Sequence, residues 1–154
     1  MSRSTPIPLV RLSAFVLALA LAGCAGMQMN PEVIATDNAP KAIGPYSQAI
    51  RTGPMLFLAG QIPIEPKTNQ LVVGTIEEET TLVLNNLKAV LEANGMTMAN
   101  VVSTSVFMKD LNDFPKMNTV YGTYFTKAPP ARATVQVARL PRDVKVEISA
   151  IAVK

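Results

Sequence analysis

The stretch Thr75–Gly95, TIEEETTLVLNNLKAVLEANG, decides the fold because it contains the start signal, the buried face and the stop signal of one helix. Thr75 and Glu78 have the spacing of a capping box, in which the threonine hydroxyl accepts a hydrogen bond from the Glu78 amide. Asn94-Gly95 supplies a left-handed stop. Between these ends the apolar residues recur at the spacing of one helix face, at Val83, Leu84, Leu87, Val90 and Leu91. The stretch therefore predicts an amphipathic helix that buries one side.

Strand patterns lie on both sides of this helix. Two short apolar segments before it, Tyr46–Arg51 and Met55–Ala59, are separated by the turn signal Thr52-Gly53-Pro54, which predicts an antiparallel hairpin. After it, the segment Val101–Met108 is rich in β-branched residues and predicts a strand. Strands before and after a helix indicate a mixed α and β fold.

A second helix is predicted after the strand Val101–Met108. Asp110 or Asn112 is expected as its cap, Pro115 falls in its first turn, and Pro129-Pro130 ends it. Its apolar stripe, at spacings of three and four, consists of Phe114, Met117, Tyr121, Tyr124 and Phe125. This helix is therefore expected to bury one side as the first one does.

Two final strands, Ala133–Ala138 and Val144–Val153, complete the chain. The predicted order is β-β-α-β-α-β-β, which is an α+β sheet with both helices on one face. In the last strand, the side that faces away from the helices still contains Ile151 and Val153. Because an apolar sheet face is rarely left in water, this pattern predicts self-association into a closed homo-oligomer.

The composition excludes several classes of functional site. The chain has 154 residues, no histidine and one cysteine, which is enough for one domain. A His/Cys zinc site, a Ser-His-Asp triad, a Cys-His dyad and an intrachain disulfide therefore cannot be built. Any chemistry must use Arg, Lys, Glu, Asp, Tyr, hydroxyl groups, the backbone and water.

The amino-terminal residues have the layout of a bacterial signal peptide. Arg3 and Arg11 accompany an apolar run, Leu12–Ala22, and no acidic residue precedes Gly23. A helix of this run would be about 16 Å long, short of the roughly 30 Å hydrocarbon core of a bilayer. The sequence Leu21-Ala22-Gly23-Cys24 resembles the lipobox, whose cysteine receives a lipid before cleavage. The alternative interpretation is a short core helix with a buried thiol.

These signals divide the chain into a lipoprotein signal peptide (residues 1–23), a lipidated tether that starts at Cys24 (residues 24–32) and a folded domain (residues 33–154). We expect the protein to be exported and held in the bacterial envelope by its lipid, with the domain in the periplasm and no other membrane contact. Without residues 1–23, twelve basic and eleven acidic residues leave a net charge of +1. The remaining basic residues do not cluster, which disfavours nucleic acid as a partner.

Several separated motifs carry a family resemblance over residues 34–153. They are APKAIGPYSQA (39–49), AGQIP (59–63), PAR (130–132), VARLP (137–141) and VEI (146–148). In this order they resemble the reactive intermediate deaminase family (RidA/YjgF), formerly described as endoribonuclease L-PSP. The resemblance implies a chorismate-mutase-like fold, a homotrimer with pockets between subunits, and hydrolysis of 2-imino or enamine acids to 2-keto acids and ammonia.

The resemblance assigns the chemistry to Arg132 and Glu147. Arg132 matches the family arginine, and its planar guanidinium can bind a substrate carboxylate through two hydrogen bonds. Its alternative is a surface arginine after a diproline turn. Glu147, in an otherwise hydrophobic strand, would hold and deprotonate the attacking water, or it would merely pair with a lysine. Water would attack the iminium carbon and ammonia would leave, with no cofactor.

Four further residues are candidates for substrate binding: Tyr46, Gly60, Asn118 and Thr134. Gly60 would bring its amide to the substrate carboxylate, although a bulge or a tight strand end also explains a glycine there. Tyr46 matches a pocket tyrosine, with a partly buried core tyrosine as the alternative, and Asn118 matches a pocket-lining position or faces solvent. Ala59 and Thr134 stand where many relatives have Ser and Cys, and the Thr134 carbonyl could still orient water. We therefore expect retained activity with an altered substrate preference.

Two functions of other classes remain open. A membrane-anchored protein that binds small carboxylates without turnover would use the same Arg132 pocket. An endoribonuclease is disfavoured because the sequence has no histidine pair and a nearly neutral charge. An assay with freshly generated 2-imino acid separates the enzyme from the binding protein.

Overall fold

The structure, a computed structural model, describes residues 30–154. The described residues form two α-helices, α1 (Ile76–Ala93) and α2 (Phe114–Tyr124). Their eight strands are β1 (Glu32–Ile34), β2 (Ala49–Thr52), β3 (Met55–Gln61), β4 (Ile64–Glu65), β5 (Gln70–Leu71), β6 (Val101–Met108), β7 (Ala131–Gln136) and β8 (Val146–Val153). The predicted signal peptide and Cys24 lie outside the described residues. The predicted α+β class and the predicted order are confirmed by the succession β2, β3, α1, β6, α2, β7 and β8.

Six of the strands form one sheet in the order β1-β2-β3-β8-β6-β7, and β4 pairs with β5 separately. The neighbours β6 and β7 run parallel, with Thr104 opposite Arg132, whereas the other described pairs are antiparallel. The hairpin predicted at Gly53-Pro54 is confirmed, since Thr52 pairs with Met55. The sheet therefore ends in β7, the strand that carries Arg132.

The helix α1 has the predicted end signals. The Thr75 hydroxyl accepts a hydrogen bond from the Glu78 amide at 3.2 Å, and the Glu78 carboxylate accepts one from the Thr75 amide at 2.7 Å. Gly95 follows the helix with a φ of +65°, as a left-handed stop requires. The five predicted core residues of its stripe, Val83, Leu84, Leu87, Val90 and Leu91, are all buried. This face packs on β3 and β8 and forms the centre of the core.

The helix α2 packs beside α1, but it begins differently from the prediction. Asp110 accepts a hydrogen bond from the Asn112 amide at 2.8 Å and so caps a short 3-10 turn, Leu111–Asp113, that precedes α2. Pro115 lies in the first turn of α2 as predicted. The Tyr124 hydroxyl donates to Asn85 Oδ1 of α1 at 2.9 Å, which joins the two helices. Within residues 30–154, no helix has the length and apolarity needed to cross a bilayer.

The main sheet has one covered and one open face. The residues of β8 beneath the helices are Val146, Ile148, Ala150 and Ala152, and all are buried. The alternate residues of the sheet point the other way, where Phe57 of β3 is 40% exposed and Val135 of β7 is 45% exposed. We call this side, which includes Ile151 and Val153, the open face. Its apolar character confirms the pattern predicted for the last strand.

The short strands and some strand ends differ from the prediction. β1, β4 and β5 have two or three residues each, too few to show a sequence period. β1 starts at Glu32, one residue before the predicted domain boundary. β2 starts at Ala49 and not at Tyr46, because the Tyr46 amide donates to the Gly44 carbonyl at 2.8 Å and forms a turn there.

Candidate active site

A cavity of about 290 Å³ lies beside β3 and β8. Its lining residues are Ile43, Tyr46, Ala59, Gly60, Ile62, Pro141 and Glu147. We call it the Glu147 cavity, because Glu147 is the one charged side chain among these lining residues. The structure thus brings three of the predicted site residues, Tyr46, Gly60 and Glu147, into one space with apolar walls.

Glu147 lies on the open face of β8, opposite Phe107 of β6. Its side chain is half-buried, and burial raises the pKa of its carboxyl above the ordinary value of 4.5. None of the ion pairs formed within residues 30–154 includes Glu147. The nearby Lys145 pairs instead with Glu79, at 3.1 Å between Nζ and Oε1. The alternative interpretation of Glu147 as a lysine partner is therefore not supported by the described residues.

Gly60 lets the Glu147 carboxyl lie directly against the backbone of β3. The pairing of β3 with β8 is regular up to Leu58 and shifts before Gln61, so Gly60 lies in a bulge. A Cβ on Gly60 would collide with the Glu147 carboxyl, with Cδ only 2.9 Å away. Both interpretations of Gly60 are therefore compatible: the glycine forms a bulge, and the bulge lines the cavity.

Tyr46 belongs to the loop that also lines the Glu147 cavity. Its side chain is 47% exposed, so it is not a core tyrosine. The Tyr46 hydroxyl accepts a hydrogen bond from the Ile43 amide at 3.2 Å, which folds the loop around the ring. Ile43 and Tyr46 thus bring this loop to the lining of the cavity, alongside Gly60 and Glu147 of the sheet.

Arg132 lies on the edge strand β7, where side chains of α2 hold its guanidinium. Nη2 donates to Asn118 Oδ1 at 2.8 Å. The guanidinium carbon lies 4.5 Å from the centre of the Tyr121 ring and 5.5 Å from that of Phe114. Among residues 30–154 no carboxylate forms an ion pair with Arg132. Arg132 is thus a cation held in place with no acidic partner in the described chain.

Phe114, Asn118 and Tyr121 follow one another on α2 at spacings of four and three, so they lie on one helix face. The apolar spacing predicts Phe114 and Tyr121 as core residues and does not connect them with Arg132. The Tyr121 hydroxyl is fixed in turn by Thr104 Oγ1 of β6, at 2.7 Å. The signal available in the sequence was Asn118, a polar residue on the same helix face as the aromatic residues Phe114 and Tyr121. A polar residue in such a stripe indicates that this helix face also contacts a polar group.

A second cavity, of about 380 Å³, adjoins Arg132. Its lining residues are Asn118, Tyr121, Gly122, Phe125, Pro129, Pro130 and Arg132. We call it the Arg132 cavity. Thr134 follows on the same side of β7, and its hydroxyl is buried without a hydrogen-bond partner among the described residues. Asn118, Thr134 and Arg132 therefore form a second group of predicted site residues.

The two groups lie on opposite sides of the sheet. Arg132 is paired with Thr104, whose buried side chain faces the helices, whereas Glu147 is paired with Phe107 on the open face. One protomer therefore does not bring Arg132 and Glu147 together. Residues 30–154 also contain no cluster of three His, Cys, Asp or Glu residues that could hold a metal ion. A single pocket that uses both Arg132 and Glu147 requires two chains.

The chain is similar in sequence to a known protein family and to several curated proteins. Residues 36–154 match the family described as Endoribonuclease L-PSP. A RutC family protein of Pyrococcus horikoshii is 58% identical over 123 residues, covering 80% of this chain and 98% of that protein. The 2-iminobutanoate/2-iminopropanoate deaminase of Escherichia coli K12 is 48% identical over 126 residues, covering 80% and 98% of the two proteins.

Two solved structures are similar over the same region. The YjgF gene product of E. coli matches with a TM-score of 0.76 at 48% identity, covering 80% of this chain and 98% of that chain. E. coli TdcF with bound serine matches with a TM-score of 0.76 at 44% identity and the same coverage. These likenesses confirm the expected chorismate-mutase-like fold.

Proposed function

This chain belongs to the endoribonuclease L-PSP family, which includes the RidA/YjgF proteins, and we propose that it hydrolyses 2-imino acids to 2-keto acids and ammonia. The observation that supports the proposal is a pair of opposite charges, each lining a cavity and each without an ion-pair partner among residues 30–154. Arg132 is a preformed receptor for a carboxylate, and Glu147 is a half-buried base. A relative at 48% identity is named 2-iminobutanoate/2-iminopropanoate deaminase.

In the proposed mechanism the substrate carboxylate binds the Arg132 guanidinium and the Gly60 amide. Glu147 accepts a proton from a water molecule as the water oxygen bonds to the iminium carbon. The resulting tetrahedral adduct carries a hydroxyl and an amino group, and Glu147 returns its proton to the amino nitrogen. As the carbonyl forms, the hydroxyl proton passes to the Glu147 carboxylate and ammonia leaves. Glu147 then gives this proton to the departing ammonia or to water, so the step balances without an oxidant or a cofactor.

We propose a homotrimer, in which the Arg132 cavity of one protomer meets the Glu147 cavity of the next. The apolar open face supports association, since burial contributes about 25 cal/mol for each Å² removed from water. The position of Arg132 on the edge strand β7 supports a shared site, because an adjoining chain can reach it. Trimers are also typical of the family.

The experiment that tests the reaction uses 2-iminobutanoate generated in the cuvette by an amino-acid dehydratase. The protein should accelerate release of 2-oxobutanoate, and Arg132→Ala should abolish this acceleration because the carboxylate loses its receptor. Arg51→Ala is the matched control, since Arg51 pairs with Glu32 on the surface. If the parent protein binds 2-oxobutanoate through Arg132 but never accelerates hydrolysis, it is a carboxylate-binding protein and the deaminase proposal is wrong.

Ribonuclease activity, which the family description names, has less support from this chain. The sequence has no histidine, and no basic cluster follows the predicted leader. RNA cleavage that survives repurification and is lost in both Arg132→Ala and Glu147→Gln would support it in place of imine hydrolysis.

We also propose that the domain is exported and held on a membrane by lipid on Cys24. The family match starts at residue 36, so the predicted leader, Cys24 and the tether all precede the domain. Full-length protein made in a bacterium should incorporate labelled palmitate and enter the detergent phase. Cys24→Ser should do neither, and unlabelled full-length protein would contradict the proposal.

A further inference from the structure

The loop between β1 and β2, residues 35–48, is closed at its base by one buried side chain. Gln48 is 5% exposed. Its Oε1 accepts a hydrogen bond from the Thr36 amide at 2.7 Å. Its Nε2 donates to the Pro40 carbonyl at 2.7 Å and the Thr36 carbonyl at 3.0 Å, with the Ala39 carbonyl at 3.3 Å. One amide group from the β2 side of the loop base thus satisfies polar backbone atoms of residues 36–40, on the β1 side.

The same residue connects the two walls of the Glu147 cavity. The Gln48 carbonyl accepts a hydrogen bond from the Ala59 amide at 3.0 Å, next to Gly60 in the bulge. Its side chain holds residues 36–40, and the loop they begin also carries Ile43 and Tyr46, which line the cavity. Loops whose ends are held together in this way keep a defined shape although their tips are exposed.

We infer that Gln48 is a positioning residue, which sets the distance between the Ile43/Tyr46 wall and the Gly60/Glu147 wall of the cavity. A buried amide without partners costs free energy, whereas here both its oxygen and its nitrogen are bonded. An apolar residue would fill the space as well but would leave four backbone groups unpaired. The buried amide therefore specifies the loop conformation and does not merely pack. The kinetic part of this inference rests on the proposed imine hydrolysis.

Gln48→Glu tests the inference with almost no change of shape. The carboxylate can still accept from the Thr36 amide, but when ionised it cannot donate to the Pro40 and Thr36 carbonyls. The charged groups that line the neighbouring surface cavity are Asp37 and Lys41, which pair with each other at 3.8 Å. Burial favours the neutral carboxyl, which has one donor and restores one of the lost bonds.

We expect Gln48→Glu to lower kcat/KM about tenfold at pH 8, mainly through KM, since the displaced wall touches the substrate before and during reaction. Relative to the parent at the same pH, the loss should shrink at pH 6. Gln48→Asn, which is too short to reach the loop, should show the same loss at both pH values. Gln70→Glu, an exposed change of the same kind, should match the parent. Sedimentation and thermal unfolding at both pH values establish that each variant is folded.

A folded Gln48→Glu or Gln48→Asn protein with parental KM at pH 8 would overturn the inference, as would a Gln48→Glu loss that is identical at pH 6 and pH 8. If the parent does not hydrolyse 2-iminobutanoate, the proposed function fails, but Gln48 remains testable without substrate. Hydrogen exchange of the amides of residues 36–46 should then quicken in Gln48→Asn and not in Gln70→Glu. Equal exchange in all three proteins would overturn the role of Gln48.

Discussion

Glu147 is half-buried and has no cationic partner within the described residues 30–154, and its position against Gly60 leaves no room for a side chain between them. A base of this kind must be ionised to accept a proton. Because burial raises its pKa above 4.5, the carboxyl is protonated, and inactive, at a higher pH than an exposed glutamate.

Glu147→Gln should lower kcat at pH 7 by about 10²- to 10⁴-fold, the usual contribution of a general base. In the parent, kcat/KM should fall as the pH is lowered, with a midpoint above pH 4.5, because Glu147 becomes protonated. Glu147→Gln should show no such fall, because glutamine does not titrate. The burial penalty exists only when the carboxyl is ionised, so Glu147→Gln should not unfold at a lower temperature than the parent at pH 7. Any gain in stability of Glu147→Gln over the parent should vanish below the ordinary glutamate pKa of 4.5, where the parent carboxyl is protonated both folded and unfolded. An unchanged acid limb in the variant would assign it to another group.

Single cavity-lining residues could be predicted from the sequence, whereas their grouping could not. Arg132, Glu147, Gly60 and Tyr46 occur in recognisable motifs, and all four line cavities. Their division between two sides of the sheet depends on the parallel register of β6 with β7 and on the bulge in β3. Gln48 belongs to the motif at residues 39–49, but its role depends on contacts with Thr36, twelve positions earlier in the chain.

At the scale of elements, one face of α2 holds the guanidinium that binds the substrate in our proposal. Tyr121→Leu removes the ring beneath Arg132 and should raise KM for 2-iminobutanoate about tenfold. Tyr121→Phe keeps the ring, loses the bond to Thr104, and should stay within about threefold of the parent.

Tyr124→Leu is the matched control for this prediction, because it removes a tyrosine of the same helix that contacts Asn85 and not Arg132. It should lower the unfolding temperature and leave KM unchanged. Equal KM values in Tyr121→Leu and Tyr124→Leu would show that α2 does not hold Arg132 for binding.

A second element-scale contact joins the first turn of α1 to the start of β8. The Glu79 carboxylate is 1% exposed and accepts hydrogen bonds from the Lys145 amide at 2.8 Å and from Lys145 Nζ at 3.1 Å. Lys145→Met leaves this buried carboxylate without its cation and should lower the free energy of unfolding by about 2 kcal/mol, less than a fully buried pair because Lys145 is partly exposed. Lys88→Met, which breaks the exposed pair with Glu92, should change it by less than about 1 kcal/mol in a urea titration. Similar values for the two variants would contradict a structural role for Glu79.

The long elements were predictable because their signals are local. The capping box, the Asn94-Gly95 stop and the hairpin turn at Gly53-Pro54 each act within a few residues, and each is present in the structure. The strands β1, β4 and β5 have only two or three residues, too few to show a sequence period; β1 is defined by its pairing with β2, and β4 and β5 by their pairing with each other. The start of α2 was misplaced because Asp110 caps a preceding 3-10 turn.

At the scale of the whole molecule, the proposed shared site predicts complementation between inactive chains. In the proposed homotrimer, Arg132→Ala and Glu147→Gln proteins would each lack one half of every site. When the two chains are mixed by unfolding and refolding at equal amounts, about a quarter of the sites should receive an intact Arg132 and an intact Glu147 from different chains. The measured rate should rise to that fraction of the parental rate. A mixture as inactive as its components would place both residues of each site in one chain.

Because the sheet separates Arg132 from Glu147 within one chain, it also determines how the rate depends on protein concentration. If each active site needs two chains and the stable particle has three, the number of sites at high dilution rises with about the third power of the total concentration. Above the dissociation range it rises linearly. Confinement of the chains to a membrane surface would keep them in the linear range at copy numbers that would leave freely diffusing chains separate. The same domain would therefore have a higher specific activity when tethered than when dilute in solution, with no change in any residue of the site.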